Sequence, residues 1–82
     1  MIKQSLGLIE TVGLAAAIEA ADTAVKSANV KIIGYELTKG GGMVMVKMLG
    51  EVGAVNAAIS AATASAAKVN KVVSTKVIAR MG

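Results

Sequence analysis

The sequence predicts an α/β fold of the α+β kind, with one antiparallel sheet and both helices on one face. Two observations lead there. Four short runs rich in apolar and β-branched residues are separated by two longer runs with apolar residues at helical spacing. Their order is strand, helix, strand, strand, helix, strand. No Pro, no Ser/Pro-rich linker and no long charge run interrupts this order, so the 82 residues are read as a single domain, 1–82.

The first strand is Ser5 to Glu10, apolar on both faces and followed by Thr11, which is placed to cap the next helix. In that helix Leu14, Ile18, Ala21 and Val25 make one apolar stripe, the pattern of a core-facing side. Glu19, Asp22 and Lys26 fall on another face, with Asp22 and Lys26 a favourable i,i+4 pair. Asn29 is the stop. Val30 to Leu37 and Met43 to Leu49 read as strands, joined by Thr38-Lys39-Gly40-Gly41-Gly42. Gly50-Glu51 opens the second helix, with Glu51 at the positive end of its dipole. Val52 to Lys68 is rich in alanine, with Val55, Ile59 and Ala62 as its core stripe. Small residues on its other faces suit close packing on a sheet and against a neighbouring subunit. Met43, Met45 and Met48 are core or interface filler. Val72 to Ala79 is the last strand. The βαββαβ order is the split-βαβ, ferredoxin-like layout, whose examples do many different things. The face of the sheet without helices is then left to solvent or to a partner.

Composition narrows the function. A chain this short buries only about 60% of the surface its unfolded form exposes. Here 55% of residues are hydrophobic and 17% charged, too few polar groups to cover a small globule, and the excess is read as subunit interface. Cys and His are absent. That excludes disulfides, a thiolate nucleophile or thiolate metal site, a Ser-His-Asp triad and the usual near-neutral general base. The five carboxylates, Glu19 and Asp22 among them, are paired with no nucleophile. No catalytic residue, metal site or cofactor is therefore assigned, and the chain is not expected to be an enzyme. One aromatic, Tyr35, makes no base-stacking platform, and the lysines are scattered singly through a net charge of +4, so no nucleic-acid partner is expected. Apolar stretches broken by Glu19, Asp22, Lys26 and Lys47 fall short of the ~20 residues of a membrane span. Met1 to Ser5 lacks the start of a signal peptide, which points to the cytosol and to no membrane partner.

Six pieces of sequence, in order and at matching spacing, resemble the hexameric single-domain shell proteins of bacterial microcompartments, the BMC-H family. They are Leu6-Gly7-Leu8-Ile9-Glu10-Thr11 with Gly13-Leu14; Ile18-Glu19-Ala20-Ala21-Asp22; Val25-Lys26 with Ala28-Asn29-Val30; Gly34-Tyr35-Glu36; Gly50-Glu51-Val52-Gly53-Ala54-Val55; and Val77-Ile78 with Arg80. The resemblance covers nearly the whole chain. It implies flat cyclic hexamers that tile edge to edge into shell facets in the bacterial cytoplasm, with a central pore for small polar metabolites. The implied partners are other copies of the chain, other shell proteins, and encapsulated enzymes or their targeting peptides.

Three sites follow from the resemblance. Lys26 matches an edge lysine that packs along its two-fold mate in the next hexamer, although composition alone makes it an ordinary solvated helix lysine. Asn29 shares that edge, and Arg80 matches a C-terminal arginine reaching into the neighbour. Lys39, Gly40, Gly41 and Gly42 match the pore loop, where Lys39 would add a ring of positive charge favouring anionic or polar metabolites. The chain departs from the family pattern in having an all-glycine loop in place of Gly-Ser-Gly. It also has Ala79 and Met81 where prolines commonly flank the arginine. The alternative reading is a ferredoxin-like regulatory domain whose glycine loop holds a small molecule. It predicts a saturable ligand and a small oligomer rather than sheets.

Overall fold

A computed structural model describes residues 4–38 and 40–79. The elements are β1 (Gln4–Val12), α1 (Leu14–Ser27), β2 (Lys31–Leu37), β3 (Met43–Glu51), α2 (Val52–Ala66) and β4 (Val72–Ala79). The strands form one sheet in the order β2-β3-β1-β4, every neighbouring pair antiparallel. The two interleaved βαβ units of the expected layout are therefore present: β3 lies between β1 and β2, and β1 lies between β3 and β4.

Alternation along the central strands sets the two faces. Ser5, Ile9 and Thr11 of β1 and Val44, Val46 and Met48 of β3 are buried under the helices. Leu6, Leu8, Glu10 and Val12 lie opposite Leu49, Lys47, Met45 and Met43 on the other face, which the helices leave open. Gly7 is where α2 comes closest. A Cβ there would stand 2.6 Å from Val55 Cγ1 and 2.9 Å from Met48 Cγ, so only glycine lets the helix settle at this depth.

The two helices use their faces differently. In α2 the expected stripe is the buried one: Val55, Ile59 and Ala62 are in the core, with Ala58 and Ala66 beside them. In α1 it is not. Ala16, Ala17, Ala20, Ala21 and Ala24 are buried, whereas Leu14, Ile18 and Val25 are about half exposed. Of the expected stripe only Ala21 faces inward. The branched and long side chains of β1, β3 and α2 already fill the layer between sheet and helices, and only methyl groups fit above them at close-packed density.

Other boundaries also move. β1 continues through Thr11 and Val12, so Thr11 does not cap α1. Its buried hydroxyl donates to the Gly13 carbonyl at 3.1 Å, and Gly13, at φ 84°, occupies the cap position without a side-chain bond. β3 runs two residues past Leu49, which makes Glu51 both its end and the N-cap residue of α2, again without a side-chain cap. α2 ends at Ala66, and Lys68 falls in the following turn. α1 ends at Ser27, ahead of the expected stop at Asn29. Of the three clustered methionines, Met48 is in the core, while Met43 and Met45 are partly covered on the open face.

Candidate functional site

The sheet has two ends, and the residues singled out by the sequence fall at one or the other. At one, β1 finishes, β2 passes into β3 and α2 turns into β4. At the other, β1 starts, α1 passes into β2 and β4 finishes, with Ser5 paired to Ala79 and Gln4 to Glu51. The glycine loop lies at the first end, and Lys26 and Asn29 lie toward the second.

The loop is closed by Thr38, whose N–H and hydroxyl both donate to the Met43 carbonyl, at 3.0 and 3.2 Å. Beyond it Gly40, Gly41 and Gly42 have φ of 68°, 110° and 72°. Three successive residues with positive φ require glycine, since an L side chain meets its own backbone there. No atom outside the adjacent residues comes within 4 Å of where their Cβ atoms would be, so the loop stands clear of the body. Its base is anchored: the Gly13 N–H donates to the Gly42 carbonyl at 2.7 Å, and next to it the Val12 N–H donates to the Lys71 carbonyl at 2.9 Å. Lys39 lies outside the described residues.

At the other end Lys26 projects from the last turn of α1 and pairs with Asp22 at 2.9 Å, both side chains largely in water. The Asp22 carboxylate, first by its hydrogen bond and then by its charge, holds the Lys26 ammonium above its ordinary value, and Glu19 acts in the same direction. Asn29 borders an open pocket of about 350 Å³ together with Lys31, Gly50 and Glu51. Arg80 lies outside the described residues.

Glu19 is partly buried rather than free in solvent. Its carboxylate accepts from Thr23 at 3.3 Å and from Ser65 across the helix pair. Glu36 is paired with Lys47 on the open face of the sheet. Among the described residues no group of three His, Cys, Asp or Glu could hold a metal ion, and no helix is long and apolar enough to cross a membrane.

Sequence reasoning missed Gly13, whose N–H ties the β1–α1 turn to the glycine loop. A glycine directly before a helical run was the available signal. The family model for the BMC domain matches residues 5–81. The chain belongs to the BMC domain family. It is 52% identical over 80 residues to the bacterial microcompartment shell protein PduA of Citrobacter freundii, a match covering 98% of this chain and 85% of PduA. It is 49% identical over 77 residues to the carboxysome shell protein CsoS1 of Prochlorococcus marinus, covering 93% of this chain and 74% of CsoS1. Its structure resembles the crystal structure of a microcompartments protein from Desulfitobacterium hafniense, with a TM-score of 0.81 and 31% identity. That match covers 92% of this BMC chain and 40% of the longer one.

Proposed function

We propose that this chain, over residues 1–82, is a structural shell subunit of a bacterial microcompartment. Cyclic hexamers tile edge to edge, Lys39 to Gly42 surround the six-fold axis, and Lys26, Asn29 and Arg80 lie at the rim. The observation that carries the reading is the placement of large apolar side chains outside the core of a single copy. Leu14, Ile18 and Val25 line the outer face of α1. Tyr35 and Leu37 lie on the helix side of β2, opposite Val46 and Val44. At the far edge of the sheet Val73 and Ile78 of β4 are also exposed, as is Val69 in the turn before it. A ring needs two different surfaces, one on each side of the subunit, that bind head to tail, and the two patches lie on opposite edges. The subunit's partners are copies of itself, other shell proteins and the enclosed enzymes or their targeting peptides, in the bacterial cytoplasm. Its role is architectural, not catalytic.

Analytical ultracentrifugation of the purified protein, followed by electron microscopy, tests this. The expected result is one species of six copies that forms sheets or tubes as concentration rises. A folded species near 8.2 kDa at micromolar concentration, with no larger assembly, overturns it.

A further inference from the structure

We propose that Lys68 and Lys71, in the turn between α2 and β4, form a positive collar beside the glycine loop that draws small anions, carboxylates or phosphates, to the opening. This rests on the pore reading and adds residues outside the loop to it. The juxtaposition is fixed by backbone. Val12 and Gly13 are adjacent, and their N–H groups donate to the carbonyls of Lys71 and Gly42 respectively, at 2.9 and 2.7 Å. Those two carbonyls are therefore within about 10 Å of each other, from standard backbone dimensions. Lys68 is held in the same turn by its N–H to Ser65 at 3.2 Å.

Both lysines are exposed, and neither belongs to an ion pair among the described residues. The five acidic residues of the chain are Glu10, Glu19, Asp22, Glu36 and Glu51. Lys26 partners Asp22, Lys47 partners Glu36, Ser65 and Thr23 hold Glu19, and Glu51 lies at the opposite end. Glu10 is the nearest in sequence to the β1–α1 turn, and Ser74 donates to it on the open face at 3.3 Å. The described segments that meet at the loop end, residues 11–18, 37–38, 40–43 and 66–72, contain Lys68 and Lys71 and no acid. Six copies set this charge around one axis. At low salt the screening length is about 10 Å or more, comparable to the spacing between turn and loop, so an ion at the glycines feels the collar directly.

The test is quencher entry into shells built mainly of this subunit and loaded with a fluorophore, using iodide as the anion and acrylamide as the neutral solute. For Lys68→Glu with Lys71→Glu at ~20 mM salt, iodide entry should slow at least ~10-fold, the low end of the usual range of electrostatic steering. Acrylamide entry should change less than ~1.5-fold, and the iodide effect should vanish at ~1 M salt, where screening acts within about 3 Å. Lys68→Gln with Lys71→Gln should fall between. Gly41→Leu, measured in parallel, should slow both quenchers. If it does and the charge variants leave iodide unchanged, or slow both quenchers alike, the collar is overturned and the pore reading stands. If Gly41→Leu slows neither quencher, the pore reading falls and the collar with it.

Discussion

Replacing Gly41 by leucine separates the loop's shape from its permeability. Gly41 has φ 110°, and a Cβ built there meets nothing within 4 Å. The substitution therefore costs backbone strain and no steric clash within one copy. Holding an L residue in so sparsely populated a region costs about 1–3 kcal/mol, against a domain stability of about 5–15 kcal/mol. The subunit should fold, with a melting midpoint lower by about 4–8 °C for each kcal/mol. Gly41→Ala carries the same strain with little bulk and is the control. Around the proposed six-fold opening, leucine would replace polar backbone by hydrocarbon. A solute that loses one hydrogen bond at the constriction faces about 1–3 kcal/mol more barrier, which slows passage by ~5- to ~150-fold. The assay is uptake of a small polar substrate by shells verified as intact. Equal uptake for wild type, Gly41→Ala and Gly41→Leu refutes the argument, because the loop then does not line the path.

Other outcomes are expected. Lys26→Asp sets a second carboxylate beside Asp22 and should abolish sheets in electron micrographs while leaving hexamers in solution; Arg80→Ala should weaken tiling in the same direction. Because Asp22 raises the Lys26 ammonium's pKa, the attraction between them is present at neutral pH and is lost only as pH rises through that raised value, so sheets should persist into the alkaline range when followed by light scattering. Ile18→Glu removes about 1–1.5 kcal/mol of apolar burial at each subunit contact and buries a charge there, so sedimentation should show loss of the hexamer. Gly7→Ala drives a methyl into Val55 and should destabilise by about 1–3 kcal/mol in chemical denaturation, with Val55→Ala in the same chain restoring much of that loss.

Much of the architecture was legible because it depends on local pattern. β-branched runs mark the strands, and Val55, Ile59 and Ala62 mark the inner face of α2. The Asp22–Lys26 pair follows from spacing along one helix. The face of α1 was misread because periodicity identifies where large apolar side chains gather, not what they meet. In this chain the alanines face the core, and Leu14, Ile18 and Val25 face outward. Thr11 was misread for a related reason. A hydroxyl before a helical run looks like a cap until the strand is seen to continue through Val12. Glu19 could not be placed, because its partner Ser65 lies 46 residues away and only the packing of the helices brings them together. The loop's position was readable from three glycines in a row, but its anchoring to Gly13 was not, since that bond joins two turns distant in sequence.

If Gly40, Gly41 and Gly42 line the opening as proposed, the constriction is made of backbone alone. Peptide groups neither gain nor lose protons over the range in which cells live, and glycine has no rotamers to switch. The three glycines would therefore offer the same donors and acceptors across that range, and any titrating or swinging group at the opening would have to come from a neighbour such as Lys39. Any change of permeability with conditions must come from the charges set around the loop or from movement of the turn that Gly13 ties to it. On the proposed pore reading, the glycine backbone would act as a fixed aperture whose selectivity is set by its diameter and its surroundings.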